Sequence, residues 1–332
     1  MKIVNLTEMD PRWKWLQSSF SAHQDWRWAH VSDQTSTLGD WVPRRRTVAR
    51  IAAGWQAAGH LEGDDAVLVT HGPRPAMYAS FAAELRRRPR RHLAFSFNFT
   101  DLPKGAAHGL MARAFRHIDR FDVFSTMERQ LYAEYFDLPI ERFDMLHWGV
   151  QASAVPADAS PIESGDYVCA VGSQARDYAV LVDAMRRLPS IKLVLVATRE
   201  SLAGISIPDN VRVHTSIPIA SAMNILAFSR FMVLPLRDSE VPCGHVTLVS
   251  AMYMGKAILS TDSSGVTDYL QPGVNGRVMP AGDPDATAAM IQAMYDEPGT
   301  TEQLGAAGRA FAFAHCAEHN TVDYVTRYLT AE

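Results

Sequence analysis

The feature that most constrains this fold is a regular alternation of short apolar runs with longer segments of helical periodicity. The run Ala66–Val69, for example, places apolar residues at consecutive positions rather than at every second one. A strand of that kind is buried on both faces, as in a parallel sheet covered by helices. The alternation therefore predicts an α/β protein with doubly wound sheets.

Two series of such elements are separated by residues 152–166, which are rich in Ala, Pro, Ser and Asp and show no periodicity. We interpret this segment as an interdomain linker. The first series has predicted strands at 2–6, 27–31, 66–70, 93–97, 122–125 and 143–147, and helices at 11–21, 43–59, 75–88, 105–118 and 127–136. The second has strands at 167–172, 191–197, 211–214, 231–234, 257–261 and 277–279, and helices at 176–187, 219–228, 245–254, 285–297, 301–313 and 319–330. The pattern predicts two Rossmann-like domains, 1–155 and 160–316, followed by a C-terminal segment at 317–332.

Length and charge agree with this organisation. The chain has 332 residues, enough for two domains of ordinary size. Its net charge of -4 argues against a general nucleic-acid binder, so no nucleic-acid partner is expected. Residues 1–150 hold 20 basic and 17 acidic residues, a balance of +3, whereas the remainder holds 12 and 19, a balance of -7.

Cysteine usage and hydropathy indicate a cytoplasmic protein. The three cysteines (Cys169, Cys243 and Cys316) lie far apart, which fits a reducing compartment better than a disulfide framework. The N-terminus lacks the apolar core of a signal peptide, and no run approaches the ~18 apolar residues of a membrane span.

Several common chemistries lack their motifs. The sequence contains no GxxxxGK[ST], no GxGxxG after a strand, no GxSxG and no HExxH. Asp283-Pro284-Asp285 has the spacing of a metal-binding DxD, but its place before a helical segment favours helix capping. We therefore expect neither a metal nor a separate cofactor.

The most informative stretch is 231–283, which reads strand, Pro235, a loop with Gly244, helix and strand. Pro235, Ala251-Met252, Gly255-Lys256, Asn275-Gly276 and Pro280–Asp283 together resemble the retaining nucleotide-sugar glycosyltransferases of family 4, or glycosyl transferases group 1. The resemblance extends weakly over most of the chain. It implies the GT-B fold, with two Rossmann-like domains facing across a cleft that holds the active site. It also implies an N-terminal domain for the acceptor, a C-terminal domain for a UDP or GDP sugar, and a last helix that crosses back to the N-terminal domain.

The two glutamates of that family are missing. By the resemblance they would fall on Pro242 and Ser250, where the chain has no carboxylate. In the family the first glutamate lies near the donor sugar and the second binds the ribose. Ser250 could still contact a ribose hydroxyl, and retention or inversion of the anomer stays open.

Candidate donor-binding residues follow the strands of the second domain. A helix N-terminus and basic side chains suit a diphosphate leaving group. These criteria select the helix start at Gly244, His245, Val246 and Thr247, together with Arg176 and Lys256. By the resemblance, Gly172, Ser173, Pro235 and Ser250 also belong to the donor site. By the resemblance, Thr215, Ser216 and Ile217 meet the nucleobase. The alternatives are pairing of Arg176 with Asp177, a surface position for His245, and stabilisation of Lys256 by the helix dipole.

Candidate catalytic residues in the first domain are His71, Asn98 and Asp101, which follow two predicted strands. Asp101 suits a general base toward an acceptor hydroxyl, or else a helix cap. His71 is either an interior residue or part of the cleft. The period-two pattern of Phe95, Phe97 and Phe99 favours strand packing over a sugar platform.

Two arginine runs, 44–46 and 86–91 with Pro89 between, lie in the basic half of the chain. They are either solvated helix faces or a docking site for an anionic membrane. The predicted function is transfer of a sugar to a sugar, lipid-linked or small-molecule acceptor, in polysaccharide, glycolipid or secondary-metabolite glycosylation. The alternatives are a sugar-nucleotide epimerase and a degenerate module that binds a nucleotide or a partner without turnover.

Overall fold

A computed structural model describes the chain except residues 13, 22, 24, 36–43, 64, 89, 150, 152–154, 157, 238–242 and 332. The chain divides into two compact units. Unit 1 comprises Met1–Leu146 and Thr321–Glu332, and unit 2 comprises His147–Asn320.

Unit 1 contains a six-stranded sheet in which every strand pair is parallel. Its order is β2-β1-β3-β4-β5-β6. The strands are β1 (Lys2–Thr7), β2 (Arg27–Ser32), β3 (Ala66–His71), β4 (Arg91–Phe95), β5 (Arg120–Val123) and β6 (Phe143–Met145). The helices are α1 (Trp15–Ser19), α2 (Arg45–His60), α3 (Pro73–Leu85), α4 (Ala106–Phe115) and α5 (Thr126–Phe136).

Both faces of this sheet are covered, as its apolar strands require. Val4, Leu6 and Leu68 point to one face, where they pack with small residues of α2 and α3. The opposite face is built from alternate residues, such as Ile3 and Val67, and it packs against α1 and the last helix. Burial on both sides explains why these strands read as continuous apolar runs.

Unit 2 contains a second parallel six-stranded sheet, with order β12-β11-β10-β7-β8-β9. Its strands are β7 (Val168–Val171), β8 (Leu193–Val196), β9 (Val211–His214), β10 (Met232–Leu234), β11 (Ile258–Thr261) and β12 (Arg277–Met279). Its helices are α6 (Tyr178–Arg186), α7 (Ile219–Phe228), α8 (His245–Tyr253), α9 (Pro284–Asp296) and α10 (Pro298–His315). The last helix, α11 (Glu318–Thr330), packs on the sheet of unit 1 through Val325 and Leu329.

The strand orders define where each sheet can bind a ligand. In unit 2 the chain runs outward from β7 to β9, then returns to place β10 on the other side of β7. In unit 1 the same reversal separates β1 from β3. Ligands of open α/β sheets bind at such switch points, beyond the carboxyl ends of the strands. The prediction of two Rossmann-like α/β domains is confirmed.

Two predicted strands are displaced. The strands predicted at 93–97 and 122–125 lie two residues earlier, at Arg91–Phe95 and Arg120–Val123. Ser96 ends β4 because its φ of 54° lies in the left-handed region, which a strand cannot use. Phe97 and Phe99 are therefore loop residues buried in the core, which confirms that they pack in the interior, but the prediction that they do so within a strand was wrong.

Two glycines of helix α10 differ in how closely the rest of unit 2 approaches them. A Cβ atom added at Gly305 would collide with the Gly255 carbonyl oxygen and reach within 3.0 Å of Ala257 N, whereas one at Gly299 meets nothing within 4 Å. We expect Gly305→Ala to destabilise the protein by about 1–3 kcal/mol, as in other overpacked sites. Gly299→Ala, on the same helix, should be neutral or stabilise by up to about 1 kcal/mol. Thermal unfolding of both variants checks this, and equal melting temperatures would contradict the packing described.

Candidate functional site

The loops after β7 and β10 meet at the switch point of unit 2. The amide of Asp177 donates to Pro235 O at 2.9 Å, and the amide of Arg237 donates to Ala175 O at 3.1 Å. The loop after β8 joins them, because Thr198 N donates to Ser173 Oγ at 2.8 Å. The predicted residues Ser173 and Pro235 thus help to hold three loops together at the carboxyl edge of the sheet.

Arg176 lies at the centre of this edge. Its Nη1 donates to Gln174 O at 2.8 Å and its Nη2 donates to Thr247 Oγ1 at 3.0 Å. Its Nε is buried and has no hydrogen-bond partner among the described residues. Burial lowers the pKa of Arg176. Asp177 does not pair with it but caps α6 by accepting from Val180 N at 3.0 Å, so the pairing alternative was wrong.

Two glycines make room for the guanidinium. A Cβ atom at Gly172 would lie 3.0 Å from Arg176 Nη2, and one at Gly244 would lie 3.5 Å from Nη1. Both glycines also adopt positive φ values, 114° and 103°, which side chains rarely allow. Glycine is therefore required at both positions by backbone conformation, and at Gly172 also by space.

Helix α8 follows its N-cap residue Gly244, and its first turn points toward the Arg176 guanidinium. Thr247 connects the two features, since its hydroxyl donates to Gly244 O at 3.2 Å and accepts from Arg176. The first turn of α8 contains no acidic side chain. A helix N-terminus beside a half-buried guanidinium is an arrangement that favours an anion. Val246 lies exposed in this turn.

Two other predicted residues on α8 are bonded within the protein. His245 is buried, and its ring Nε2 lies 2.7 Å from Gly265 O. Burial lowers its pKa to about 4, which keeps the ring neutral, so the alternative of a surface position was wrong. Ser250 is also buried and donates to Val246 O at 2.8 Å. Pro242 lies outside the described residues.

The loop after β9 holds the predicted nucleobase residues Thr215, Ser216 and Ile217. Ser216 is exposed and has a positive φ of 57°, a conformation that non-glycine residues rarely adopt. The segment directly follows the C-terminal end of β9, so it lies at the carboxyl edge of the sheet, three strands from β10.

Lys256 does not belong to this edge. It immediately precedes β11, at the amino edge of the sheet, and its Nζ donates to Ser229 O at 2.8 Å. Burial lowers its pKa. The prediction of a phosphate contact was therefore wrong, because the lysine follows the C-terminal end of α8 rather than its N-terminal end. Asp283 caps α9 by accepting from Ala286 N at 2.9 Å, so the capping prediction is confirmed.

In unit 1 the candidate catalytic residues lie at the carboxyl ends of β3 and β4. His71 ends β3, and its Nε2 lies 2.8 Å from Asn5 Oδ1. Burial lowers its pKa to about 3, so the ring is neutral. Asn98 and Asp101 are exposed on the loop after β4. Helix α4 is capped by Gly105, so the alternative that Asp101 caps a helix there was wrong.

That loop is anchored by buried acids that the sequence reasoning missed. Ser96 N donates to Asp122 Oδ2 at 3.1 Å, and burial raises the pKa of Asp122 well above its usual range. Glu128 accepts from Phe124 N at 3.0 Å and from the Tyr132 hydroxyl at 3.0 Å. The same tyrosine oxygen accepts from a loop amide, Phe99 N, at 3.0 Å.

The sequence carries a signal for this anchor. Ser125 caps α5 by accepting from Glu128 N at 3.2 Å, and the spacing Ser-x-x-Glu is that of a capping box. Tyr132 follows Glu128 by one helical turn, so both side chains lie on the same face. The capping box and the tyrosine together indicate a buried polar cluster at the start of α5.

No group of three or more potential metal ligands comes together in the described part of the chain. In the same residues, none of the helices is long and apolar enough to cross a bilayer.

Comparisons with known proteins agree with this geometry. Residues 165–297 match the family model of glycosyl transferases group 1. The structure is similar to HepE of Anabaena solved with UDP-glucose, at a TM-score of 0.75 and 13% identity over 100% of both chains. It is similar to sucrose-phosphate synthase from Thermosynechococcus elongatus, at 0.74 and 15% identity over 98% of both chains. It is similar to a UDP-forming alpha,alpha-trehalose-phosphate synthase from Burkholderia xenovorans, at 0.70 and 13% identity over 99% of this chain and 98% of that chain. A comparison with curated proteins gave no match.

The fold is therefore GT-B, as the sequence resemblance predicts. The match of residues 165–297 covers β7 to α9 and so includes the loops that surround Arg176. The family match and the fold support a transferase.

The buried Glu128 makes stability depend on pH. Burial raises its pKa from 4.5 to about 7, so the folded protein holds a proton that the unfolded chain releases near pH 4.5. The favourable contribution is complete below pH 4.5 and is lost as the pH rises to about 7, by roughly 3 kcal/mol.

Glu128→Gln mimics the protonated acid and should remove this dependence. Denaturant unfolding of the wild type and the variant between pH 4.5 and 8 measures the difference. We expect the wild type to lose stability relative to the variant across that window. A constant difference would show that Glu128 titrates normally.

Proposed function

We propose that the chain is a glycosyltransferase that moves a sugar from a nucleoside diphosphate sugar to an acceptor hydroxyl. The observation that supports this most strongly is the half-buried Arg176, whose Nε is buried, beside the N-terminus of α8 at the switch point of a GT-B unit. No carboxylate of the described residues lies within 4.0 Å of that guanidinium. A bound anionic ligand would therefore stabilise its charge.

The arrangement suits a diphosphate leaving group. Negative charge develops on the diphosphate as the bond to the sugar breaks, and preorganised donors stabilise it. Arg176 supplies a guanidinium that stays charged, and the first turn of α8 supplies backbone amides. Because these groups already stabilise the negative charge that develops on the diphosphate, we expect sugar transfer to require no metal.

The nucleotide is proposed from the comparisons and from the loop after β9. HepE was solved with UDP and with UDP-glucose, which makes UDP the first nucleotide to test and GDP the second. The backbone of Thr215–Ile217 is the proposed contact for the base. Ser250, on helix α8, is the proposed ribose contact.

The acceptor is proposed to bind unit 1. His71, Asn98 and Asp101 are the candidate catalytic residues there, and a histidine or carboxylate of this kind takes the proton from the attacking hydroxyl. A sugar, lipid-linked or small-molecule acceptor fits this proposal, as do roles in polysaccharide, glycolipid or secondary-metabolite glycosylation.

A second candidate is a nucleotide-binding module without turnover. It is favoured by helix α8, whose sequence HVTLVSAMY contains no carboxylate near the donor site. The two candidates share the diphosphate site and differ only in sugar transfer. One titration followed by one turnover assay therefore separates them.

Replacement of Arg176 tests the donor site. Calorimetric titration with UDP should show binding by the wild type and a loss of at least tenfold in Arg176→Ala, since each charge-assisted hydrogen bond contributes about 1.5–3 kcal/mol. Arg176→Lys should bind with intermediate affinity, because an ammonium cannot fork.

Arg187→Ala is the matched control for this titration, because Arg187 is a surface residue paired with Asp183 and Asp285. A turnover assay with UDP-glucose in the presence of EDTA then decides between the candidates. Sugar transfer supports the enzyme, and binding without transfer supports the module. Unchanged UDP affinity in Arg176→Ala would refute the site.

A peripheral membrane location is the second part of the proposal. The outer face of α2 exposes Val48, Ile51 and Trp55 by 39%, 51% and 46%, and Arg44–Arg46 at its start are exposed as well. A tryptophan among aliphatic and basic residues is typical of helices that lie on anionic membranes. The guanidinium of Arg86 lies 4.0 Å over the Trp55 ring, next to this face.

Three arginines of the second run, Arg88, Arg90 and Arg91, are engaged within unit 1. Arg88 and Arg90 donate to backbone carbonyls at 2.9 and 2.8 Å, and Arg91 lies 4.8 Å over the Tyr328 ring. The proposed docking surface is therefore the outer face of α2 (Val48, Ile51 and Trp55) with Arg44–Arg46 and Arg86, rather than both arginine runs in full. The proposed location is the cytoplasmic face of the membrane.

Vesicle flotation tests this surface. We expect the wild type to float with vesicles that contain anionic lipid and not with neutral ones, and Ile51→Asp to stay in solution. Ile219→Asp is the control, since Ile219 is an exposed isoleucine of unit 2. Flotation that is independent of lipid charge, or equal in the two variants, would argue against docking by α2.

A further inference from the structure

The loop after β10 is fixed by a hydroxyl group from the neighbouring strand β11. Backbone pairing between β10 and β11 ends at Leu234, opposite Ser260. The next residue, Pro235, has no amide hydrogen with which to continue the pairing. The side chain of Thr261 takes over at this point, because its Oγ1 accepts from Leu236 N at 2.8 Å and donates to Leu236 O at 3.2 Å. One hydroxyl therefore satisfies both backbone groups of Leu236.

The other side of Leu236 faces the backbone of Arg176. These two residues form an antiparallel bridge, and the hydrogen bonds that hold it are made by their chain neighbours. In a pair of this kind the two Cα atoms approach to about 4.5 Å, and the amide and carbonyl groups of the paired residues point away from each other. The groups of Leu236 that point away from Arg176 are those that Thr261 meets. Leu236 is thus held between Arg176 and Thr261.

This arrangement is closed to water, so its hydrogen bonds cannot be replaced from solvent. Thr261 is 2% exposed and Leu236 is 1% exposed. A hydroxyl has one hydrogen to donate and lone pairs with which to accept, and Thr261 uses both functions on Leu236. A valine has nearly the same shape but neither function, so it would leave the amide and the carbonyl of Leu236 unpaired in the interior. We expect the loop to shift in order to recover those bonds.

The Arg176 guanidinium is sensitive to such a shift. Its two hydrogen bonds go to Gln174 O on its own loop, at 2.8 Å, and to Thr247 Oγ1 on α8, at 3.0 Å. A Cβ atom at Gly172 would lie 3.0 Å from its Nη2, so the surroundings fit the group closely. Movement of the Arg176 backbone relative to α8 therefore weakens the bond to Thr247, since hydrogen bonds depend steeply on distance and angle.

We infer that Thr261 is a positioning residue, which holds the loop after β10 so that Arg176 presents its guanidinium at the start of α8. The inference rests on the proposed function, in which that guanidinium binds the diphosphate of the donor. Among the described residues the Thr261 hydroxyl bonds only to Leu236. It acts on the donor only through Leu236 and Arg176.

A graded series at position 261 tests the inference by calorimetric titration with UDP. Thr261→Ser keeps both hydrogen-bonding functions and should bind within about twofold of the wild type. Thr261→Val should weaken UDP binding by about tenfold, as for the loss of one charge-assisted hydrogen bond at Arg176. Thr261→Cys, whose thiol donates and accepts weakly, should be intermediate, and it takes the place of valine if that variant does not fold.

Thr301→Val is the matched control for the series. Thr301 is a buried threonine of unit 2, and its hydroxyl donates to Met294 O at 2.8 Å. Its replacement removes a buried hydrogen bond of the same kind and should leave UDP affinity unchanged. Equal affinities throughout the series at position 261, or an equal loss in Thr301→Val, would overturn the inference.

A double-mutant cycle separates positioning from a general structural effect. Thr261→Val should weaken UDP binding in the wild-type background and have no further effect in Arg176→Ala, because the group that it positions is then missing. Ligand-observed NMR measures the weak binding of the alanine background. An equal loss in both backgrounds would show that Thr261 acts without Arg176 and would contradict its assigned role.

Nitrogen-15 NMR of the arginine side chains reads out the position of Arg176 without any nucleotide. The Nε of Arg176 is buried, so we expect its hydrogen to exchange slowly with solvent in the wild type and in Thr261→Ser. Exchange should be faster in Thr261→Val, and the signal is assigned by its loss in Arg176→Lys. An unchanged signal in a folded Thr261→Val would refute the positioning role.

The two readouts distinguish failure of this inference from failure of the proposed function. A wild type that binds no UDP would contradict the proposed function, whereas a loosened Arg176 in Thr261→Val would still support the positioning role. UDP binding that depends on Arg176 but is unchanged in Thr261→Val would support the donor site and overturn the role of Thr261.

Discussion

The site of unit 2 depends on one interaction, the contact of the Arg176 guanidinium with Thr247 at the start of α8. Burying a guanidinium is costly unless hydrogen bonds and an anion offset the loss of solvation. The loops after β7 and β10 can enclose it because the strand order places those two strands side by side. Gly172 and Gly244 then leave the space that it occupies. The acidic balance of the second half would oppose an anionic donor, so the proposed site relies on local groups to hold the phosphates.

The sheet of unit 1 has a switch point like that of unit 2, but different chemical groups lie at its carboxyl edge. Its carboxyl edge lacks a buried free cation among the described residues and holds neutral histidines and buried acids instead. Asn5 and the two histidines bonded to it satisfy one another, and Asp122 and Glu128 anchor the loop that carries Asn98 and Asp101. In the proposed function a neutral histidine suits proton transfer from a hydroxyl, whereas the fixed charge in unit 2 suits a phosphate.

Most of the fold could be predicted because strands that are buried on both faces consist of continuous apolar runs, which are visible in the sequence. The end of β4 could not be predicted, because Phe97 and Phe99 are as apolar as strand residues. Only the backbone conformation of Ser96 shows where the strand ends. On the donor side, position after a strand led to Arg176 and Gly244, which the structure brings together at the carboxyl edge of the unit 2 sheet. Lys256 failed because position near a helix does not tell which helix end meets the ligand. Hydrogen bonds across sheet neighbours, such as Asn5 to His30, depend on strand order and register, which no local pattern reveals.

The most direct test of the central claim is a crystal structure of the chain with UDP. The account predicts that the diphosphate lies against the first turn of α8, with its oxygens within hydrogen-bond distance of the Arg176 guanidinium and the Thr247 hydroxyl. A diphosphate bound elsewhere, with Arg176 still bonded only to Gln174 and Thr247, would contradict it.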